Sequence, residues 1–301
     1  MGYVVRVMWK QITLVGVGLL NGSIGLAARR LGLAQRLVGL VRREASVAEC
    51  CRLGVVDEAT LDDATAVRGA DLIILGTPVL QMRELARRVA PHVRRGAIIT
   101  DVGSVKGRLV SDLEEVFRAR RAHFIGSHPM AGGEQMGPAA ARADLFQGAK
   151  CVITPTARSS RSALARVRKF WEALGCQVLT MPPDTHDQLV ARASHLPHVT
   201  AAALARLVLA PEAPPQQAAL CATGFRDTTR VASGSPEMWR DIALENHAAL
   251  GRAVEELMRE LRRFHRLMQR QDAQGLQRFF MQAKQRRDQW LAAISVSPSP
   301  E

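Results

Sequence analysis

Several things are scarce in this 301-residue chain, and each scarcity excludes something. Aromatic residues make up only 4%, with a single tyrosine, and no basic low-complexity tail is present. A formal charge of +13 therefore comes without the stacking residues or the binding module of a nucleic-acid protein. Cysteine is represented by Cys50, Cys51, Cys151, Cys176 and Cys221, an odd number with no CxxC pair and no metal-like spacing to histidine. Reduced thiols in a cytoplasm, and no metal, are the expectation. Long apolar runs are missing too: none approaches the roughly 18 residues that a membrane span requires. The opening MGYVVRVMWK is too short and too interrupted for a signal peptide, and Met8 is an alternative start, since strand-like residues begin at Gln11.

What is present is unevenly spread. Up to Met181 there are 26 Lys+Arg against 15 Asp+Glu, a net +11; beyond it 15 face 13, a net +2. A positive field confined to the first part suits a polyanionic small substrate or a phosphorylated cofactor.

The first part alternates short apolar runs (12–17, 37–41, 72–76, 97–101, 123–126, 151–154 and 177–181) with amphipathic stretches such as 82–89, 105–117 and 163–174. This rhythm predicts an open α/β sheet of mainly parallel strands over residues 1–183. From Asp184 no β-like run appears, and an all-helical domain is expected over 184–301. Within it Leu250, Val254, Leu257, Leu261, Phe264 and Met268 step by four and three. That stripe fits both packing inside a helical domain and a helix–helix dimer interface.

The run "ITLVGVGLLNGSIGL" leads from a strand through Gly16-x-Gly18 into a helix near Asn21-Gly22-Ser23. Such a turn lets backbone N–H groups approach a pyrophosphate at a helix N-terminus. The expected cradle is Gly16, Gly18, Leu19, Leu20, Gly22 and Ser23. Asn21 occupies the third glycine position of GxGxxG, which puts the packing of the loop in question. The second strand ends in Arg42-Arg43 with no acid before Glu44. NAD sites carry an acid there for the ribose hydroxyls, whereas two guanidiniums suit a 2′-phosphate, so NADP is placed ahead of NAD.

Three further motifs fall at strand carboxyl ends, where open α/β sheets bind ligands. They are LGTPV at 75–79, TDVGSVKG at 100–107 and GSHPMAGGE at 126–134. Thr77, Pro78, Asp101 and Gly103 are expected along the cofactor, and a helix is expected to open at Ser104. The helical part adds SHLPHVTAAAL at 194–204 and GFRDTTRVASGSPEMW at 224–239. In this order, from about residue 11 to 290, the set resembles the prephenate/arogenate dehydrogenase family of tyrosine biosynthesis.

The resemblance implies a Rossmann-like nucleotide-binding domain, an all-α dimerisation domain and a homodimer, with no regulatory or mutase domain fused to it. It implies oxidative decarboxylation of a cyclohexadienol with NAD(P). It makes His128 the acceptor of the ring-hydroxyl proton, with Ser104 beside that hydroxyl and the nicotinamide. It puts Arg230 on a substrate carboxylate, His198 and Trp239 in the substrate pocket, and Glu134 in substrate recognition or gating. The residues alone leave Ser104 as a helix cap, Trp239 as a core anchor or pocket wall, His195 as a supporting residue and His186 without a role. A neutral histidine, with an ordinary pKa near 6.5, can accept the proton while loss of carbon dioxide drives the ring to aromaticity. Two other classes stay open: a non-catalytic NADP-binding regulatory protein, and a reductase of a different small acid or imine. Prephenate against arogenate is undecided.

Overall fold

The computed structural model describes residues 7–133 and 135–295. Eight strands form one sheet: β1 (Trp9–Val15), β2 (Ala34–Leu40), β3 (Glu58–Thr60), β4 (Leu72–Leu75), β5 (Ile98–Asp101), β6 (His123–Pro129), β7 (Lys150–Thr154) and β8 (Gln177–Thr180). Their spatial order is β3-β2-β1-β4-β5-β6-β7-β8, all neighbours being parallel except β6 and β7. The order reverses between β1 and β4, and in open α/β sheets ligands bind beyond the strand carboxyl ends at such a reversal.

The central strands are apolar on both faces because helices cover both. Leu72 and Ile74 of β4 join one buried layer with Ile12, Leu14 and Ile24, while Ile73 and Leu75 join the other with Leu109, Leu113 and Phe117. This period-two division of an unbroken apolar run is what a doubly covered parallel strand requires. Helices α1 (Leu19–Arg30), α2 (Glu44–Arg52), α3 (Asp63–Val67), α4 (Val79–Val89), α5 (Gly107–Arg118) and α6 (Arg161–Ala173) alternate with the strands.

Two strands depart from expectation. The edge strand β3 has three residues, starts on an exposed glutamate and carries no apolar run, so nothing in its sequence announces it. Strand β6 continues three residues past Gly126, because its antiparallel neighbour holds it: Ser127 pairs with Ile153, His128 with Val152 and Pro129 with Cys151. His128 is therefore a strand residue rather than a turn residue.

Beyond β8 the chain is helical: α7 (Pro183–Val190), α8 (Leu196–Val208), α9 (Pro215–Ala219), α10 (Thr223–Thr229), α11 (Pro236–Glu245), α12 (His247–Gln269) and α13 (Ala273–Ser295). Contacts divide the chain between His247 and Ala248, because α7 packs on α5 and α11 on α4. Arg83 of α4 fastens the latter pair, binding Glu245 through both terminal nitrogens at 2.7 Å and Asp112 of α5 through Nε at 2.6 Å. In the second unit, Phe264 of α12 meets Phe279 and Phe280 of α13. Among the described residues no helix is long and apolar enough to cross a membrane, and none of the five cysteines is in a disulfide.

Candidate active site

The first loop fits a dinucleotide. Gly16 sits at φ +79°, and a Cβ there would lie 2.6 Å from Thr77 Cγ2, so β1 and β4 can release their chains side by side only with glycine at this point. Nothing fills the space above Gly18, and no side chain caps the amino end of α1. The Oγ of Thr77 is buried beside this loop with no partner among the described residues. The N–H groups of Gly16 and Gly18 already donate to the carbonyls of Leu40 and Gly16, so the uncapped helix end, the open cradle and the orphaned hydroxyl are what a bound pyrophosphate and nicotinamide would use. Leu19 and Leu20 are half-buried there, whereas Gly22 and Ser23 are buried inside α1. Ser23 Oγ accepts the backbone N–H of Arg142 at 2.9 Å. Pro78 occupies the position before α4.

Asn21 explains its own departure from the glycine pattern. Its side-chain amide, 1% exposed, donates to the carbonyls of Val15, Gly16 and Ile74 at 3.0–3.2 Å. It thereby ties the ends of β1 and β4 together from within the first turn of α1. The close helix approach usually assigned to the third glycine falls instead at Gly25, where a Cβ would stand 1.9 Å from the Val55 carbonyl oxygen.

At the end of β2, Arg42 and Arg43 are exposed and make no ion pair among the described residues. Asp101, expected along the cofactor, is spent within the protein. It is fully buried, binds the equally buried ammonium of Lys106, and accepts the backbone N–H groups of Gly103 at 2.9 Å and Ser127 at 3.1 Å. The buried pair staples the loop carrying Ser104 to the strand carrying His128. Ser104 lies half-buried within that loop and does not start the helix: α5 begins at Gly107. The cap comes from another element. Asp187 of α7 accepts the N–H groups of Lys106 at 2.8 Å and Gly107 at 2.7 Å.

The same Asp187 reaches His128 through a residue to which the sequence assigned no role. His128 Nδ1 is 2.9 Å from His186 Nε2, and His186 Nδ1 is 2.8 Å from Asp187 Oδ1. An ionised carboxylate only accepts, so neutral His186 carries its proton on Nδ1 and presents a lone pair on Nε2. His128 then donates from Nδ1, which leaves its Nε2 as the free base. Burial pushes the His128 pKa well below 6.5, and nearby His186, Lys106 and His195 act in the same direction. His128 is thus neutral and ready to accept a proton at neutral pH.

Helix α7 runs into α8 through a π-turn, Ala191–His195, just ahead of Pro197. Such turns are frequent at functional sites. Asn246 bridges the Asp187 carbonyl at 2.9 Å and His195 Nδ1 at 3.2 Å. The Nε2 of His195 is buried and unpartnered among the described residues, and burial lowers the His195 pKa to about 4. His198 stacks on Trp239 with ring centroids 3.8 Å apart, and its Nδ1 lies 3.0 Å from the Ser194 carbonyl oxygen. Trp239 is half-buried, and its N–H is enclosed with no partner among the described residues. Arg230 lies exposed on the 3₁₀ turn that follows α10 and packs on α8. Glu134 falls outside the described residues. Among those described, no cluster of histidine, cysteine and carboxylate could hold a metal.

Family models for the prephenate dehydrogenase nucleotide-binding domain and dimerization domain match residues 24–180 and 182–282. The chain belongs to the prephenate dehydrogenase family. It is 34% identical to prephenate dehydrogenase of Bacillus subtilis over 93% of this chain and 76% of that protein. It is equally identical to cyclohexadienyl dehydrogenase of Zymomonas mobilis, over 93% and 96%. The crystal structure of prephenate dehydrogenase from A. aeolicus, in complex with hydroxyphenyl propionate and NAD+, superposes with a TM-score of 0.88 at 33% identity, covering 93% of this chain and 98% of that one. Family membership makes the chain an oxidoreductase with a nucleotide-binding domain and a dimerisation domain.

Proposed function

We propose that this chain oxidises and decarboxylates prephenate, taking NADP ahead of NAD, with His128 as the base. A bound nicotinamide supplies the acceptor for the hydride that leaves ring carbon 4. His128 Nε2 takes the proton of the carbon-4 hydroxyl, so that no positive charge builds on that oxygen. The resulting imidazolium keeps its Nδ1–H on His186, and the negative charge of Asp187 lies one residue further along the chain of bonds. When the bond from carbon 1 to the carboxylate breaks, its electron pair enters the ring and carbon dioxide departs. Ser104 orients the hydroxyl, Arg230 holds a carboxylate, and His198 with Trp239 walls the ring. Glu134 is assigned to substrate recognition on its motif alone.

The single observation that carries this reading is the hydrogen-bonded run His128–His186–Asp187 at the carboxyl edge of the sheet. Arg42 and Arg43, unpaired at the end of β2, support NADP, because a 2′-phosphate would give them a bidentate partner. A homodimer is supported by the exposed apolar residues of α12 and α13, among them Leu261, Met268, Phe280 and Trp290. Free cysteines fit a cytoplasmic setting.

One relative is a prephenate and another a cyclohexadienyl dehydrogenase, so both prephenate and arogenate belong in the test. The chain is mixed with each substrate under NADP and then NAD, and nicotinamide reduction is followed. Reduction with prephenate is expected. Reduction with arogenate alone would reassign the substrate, and no reduction in any of the four mixtures would leave a nucleotide-binding protein without this activity.

A further inference from the structure

One cleft does not lie at the carboxyl edge of the sheet. It lies at the opposite edge, where β5 and β6 begin, and encloses about 490 Å³. Four arginines line it from different segments: Arg95 from the turn before β5, Arg118 from the end of α5, Arg121 from the turn into β6, and Arg158 from the loop before α6. Gly96, Ala122, His123 and Ser160 complete the wall, and no carboxylate takes part. None of the four guanidiniums has an ion pair among the described residues.

Charges of one sign gathered around a concavity repel one another unless an anion sits between them. Arg118 alone has a local explanation, since it lies in the last turn of α5 and complements that helix end. The other three do not. Arg121 is held at φ +53°, where a side chain costs energy that glycine would avoid. Helix α6 has thirteen residues and no acid in its first turn, and its amino end adds positive potential next to Ser160. The backbone N–H groups of Gly96, Ala97, Arg121, Ala122 and His123 are already bonded to carbonyls, so recognition falls to the guanidiniums, which bind phosphate oxygens in pairs.

We propose that this cleft is a second anion site and that it binds a small polyphosphate, a chain of two or three phosphoryl groups. A monophosphate would leave much of the charge of four arginines unanswered, whereas a di- or triphosphate carries a matching charge in a volume typical of small-ligand sites. The site shares no residue with the nucleotide loop or with the His128 edge. It does touch the far ends of both elements that support the chemistry: α5, whose amino end Asp187 caps, and β6, which ends beside His128.

Inorganic pyrophosphate and tripolyphosphate serve as probes, titrated calorimetrically into the full chain at fixed ionic strength with saturating NADP present, so that Arg42 and Arg43 are occupied. Saturable binding is expected, weakened about tenfold or more by Arg118→Gln with Arg121→Gln, and again by Arg95→Gln with Arg158→Gln. The pair Arg286→Gln with Arg287→Gln, exposed on α13, should leave it unchanged. Turnover of each variant with the dehydrogenase substrate verifies folding and is independent of the proposal. Failure to saturate, or equal weakening by the α13 pair, would overturn the site and leave only diffuse attraction to a basic surface.

Discussion

His128 Nδ1 and His186 Nε2 stand 2.9 Å apart, and the Asp187 carboxylate on the far side of His186 decides which way that bond points. The same carboxylate caps α5, so the helix after Ser104 and the tautomer of His128 depend on one group. Replacing His186 with phenylalanine keeps an aromatic ring, though a larger one, and removes the acceptor. We expect kcat to fall roughly 10–100-fold with KM little changed, a part of the 10²–10⁴-fold that a general base contributes. A change confined to KM would count against a positioning role for His186.

Burial keeps His128 neutral, and this sets the pH behaviour. Below its ordinary value near 6.5 the unfolded chain binds a proton that folded His128 refuses, and His195, lowered to about 4, behaves alike. More protons on the unfolded state mean that stability rises with pH through this window and levels off above about 6.5. Denaturant midpoints between pH 4 and 7 should therefore climb and then flatten. The kcat/KM profile should keep its plateau below pH 6.5. An acid limb centred at or above that value would contradict a buried, neutral His128.

Asn21 is predicted to stabilise the nucleotide loop rather than impair it. Asn21→Gly restores the usual pattern but strips three carbonyls, two of them buried, of a donor. A loss of about 1–3 kcal/mol is expected, read as a lower denaturant midpoint, together with weaker cofactor binding. A more stable variant would mean that the glycine pattern, not the amide, suits this loop.

Much of this was legible beforehand, and the failures have physical causes. Strand β4 announced itself because burial on both faces demands an unbroken apolar run, and β1 and β5 were legible from shorter apolar stretches beside buried polar residues such as Thr13 and Thr100. The edge strand β3 did not, since it is held by ladder bonds to β2 alone and its side chains need not be apolar. The Gly16 turn, Ser104 and His128 were visible as motifs. His186 was not, because its role depends on a contact 58 residues distant in sequence, and a lone histidine early in a helix carries no local mark. Its one available signal was the adjacent acid, Asp187, which pairs an imidazole with a carboxylate. The buried partner of Asp101, Lys106, was equally hidden, because a strand-end acid carries no local mark of an ion pair within the protein.

Arg42 and Arg43 make the cofactor choice testable. Arg42→Ala with Arg43→Ala should raise KM for NADP by roughly tenfold or more and leave KM for NAD nearly unchanged, because only the 2′-phosphate provides the charge-assisted bonds. Steady-state kinetics with both cofactors decides this. Equal effects would remove these arginines from 2′-phosphate recognition.

The most direct test replaces the base itself. His128→Asn keeps a polar group in the strand and removes the proton acceptor. Turnover of prephenate by this variant and by the unaltered chain is compared alongside cofactor affinity measured by fluorescence titration. Turnover is expected to fall roughly 10²–10⁴-fold with cofactor affinity preserved. Full turnover in the variant would contradict the assignment of His128 as the base.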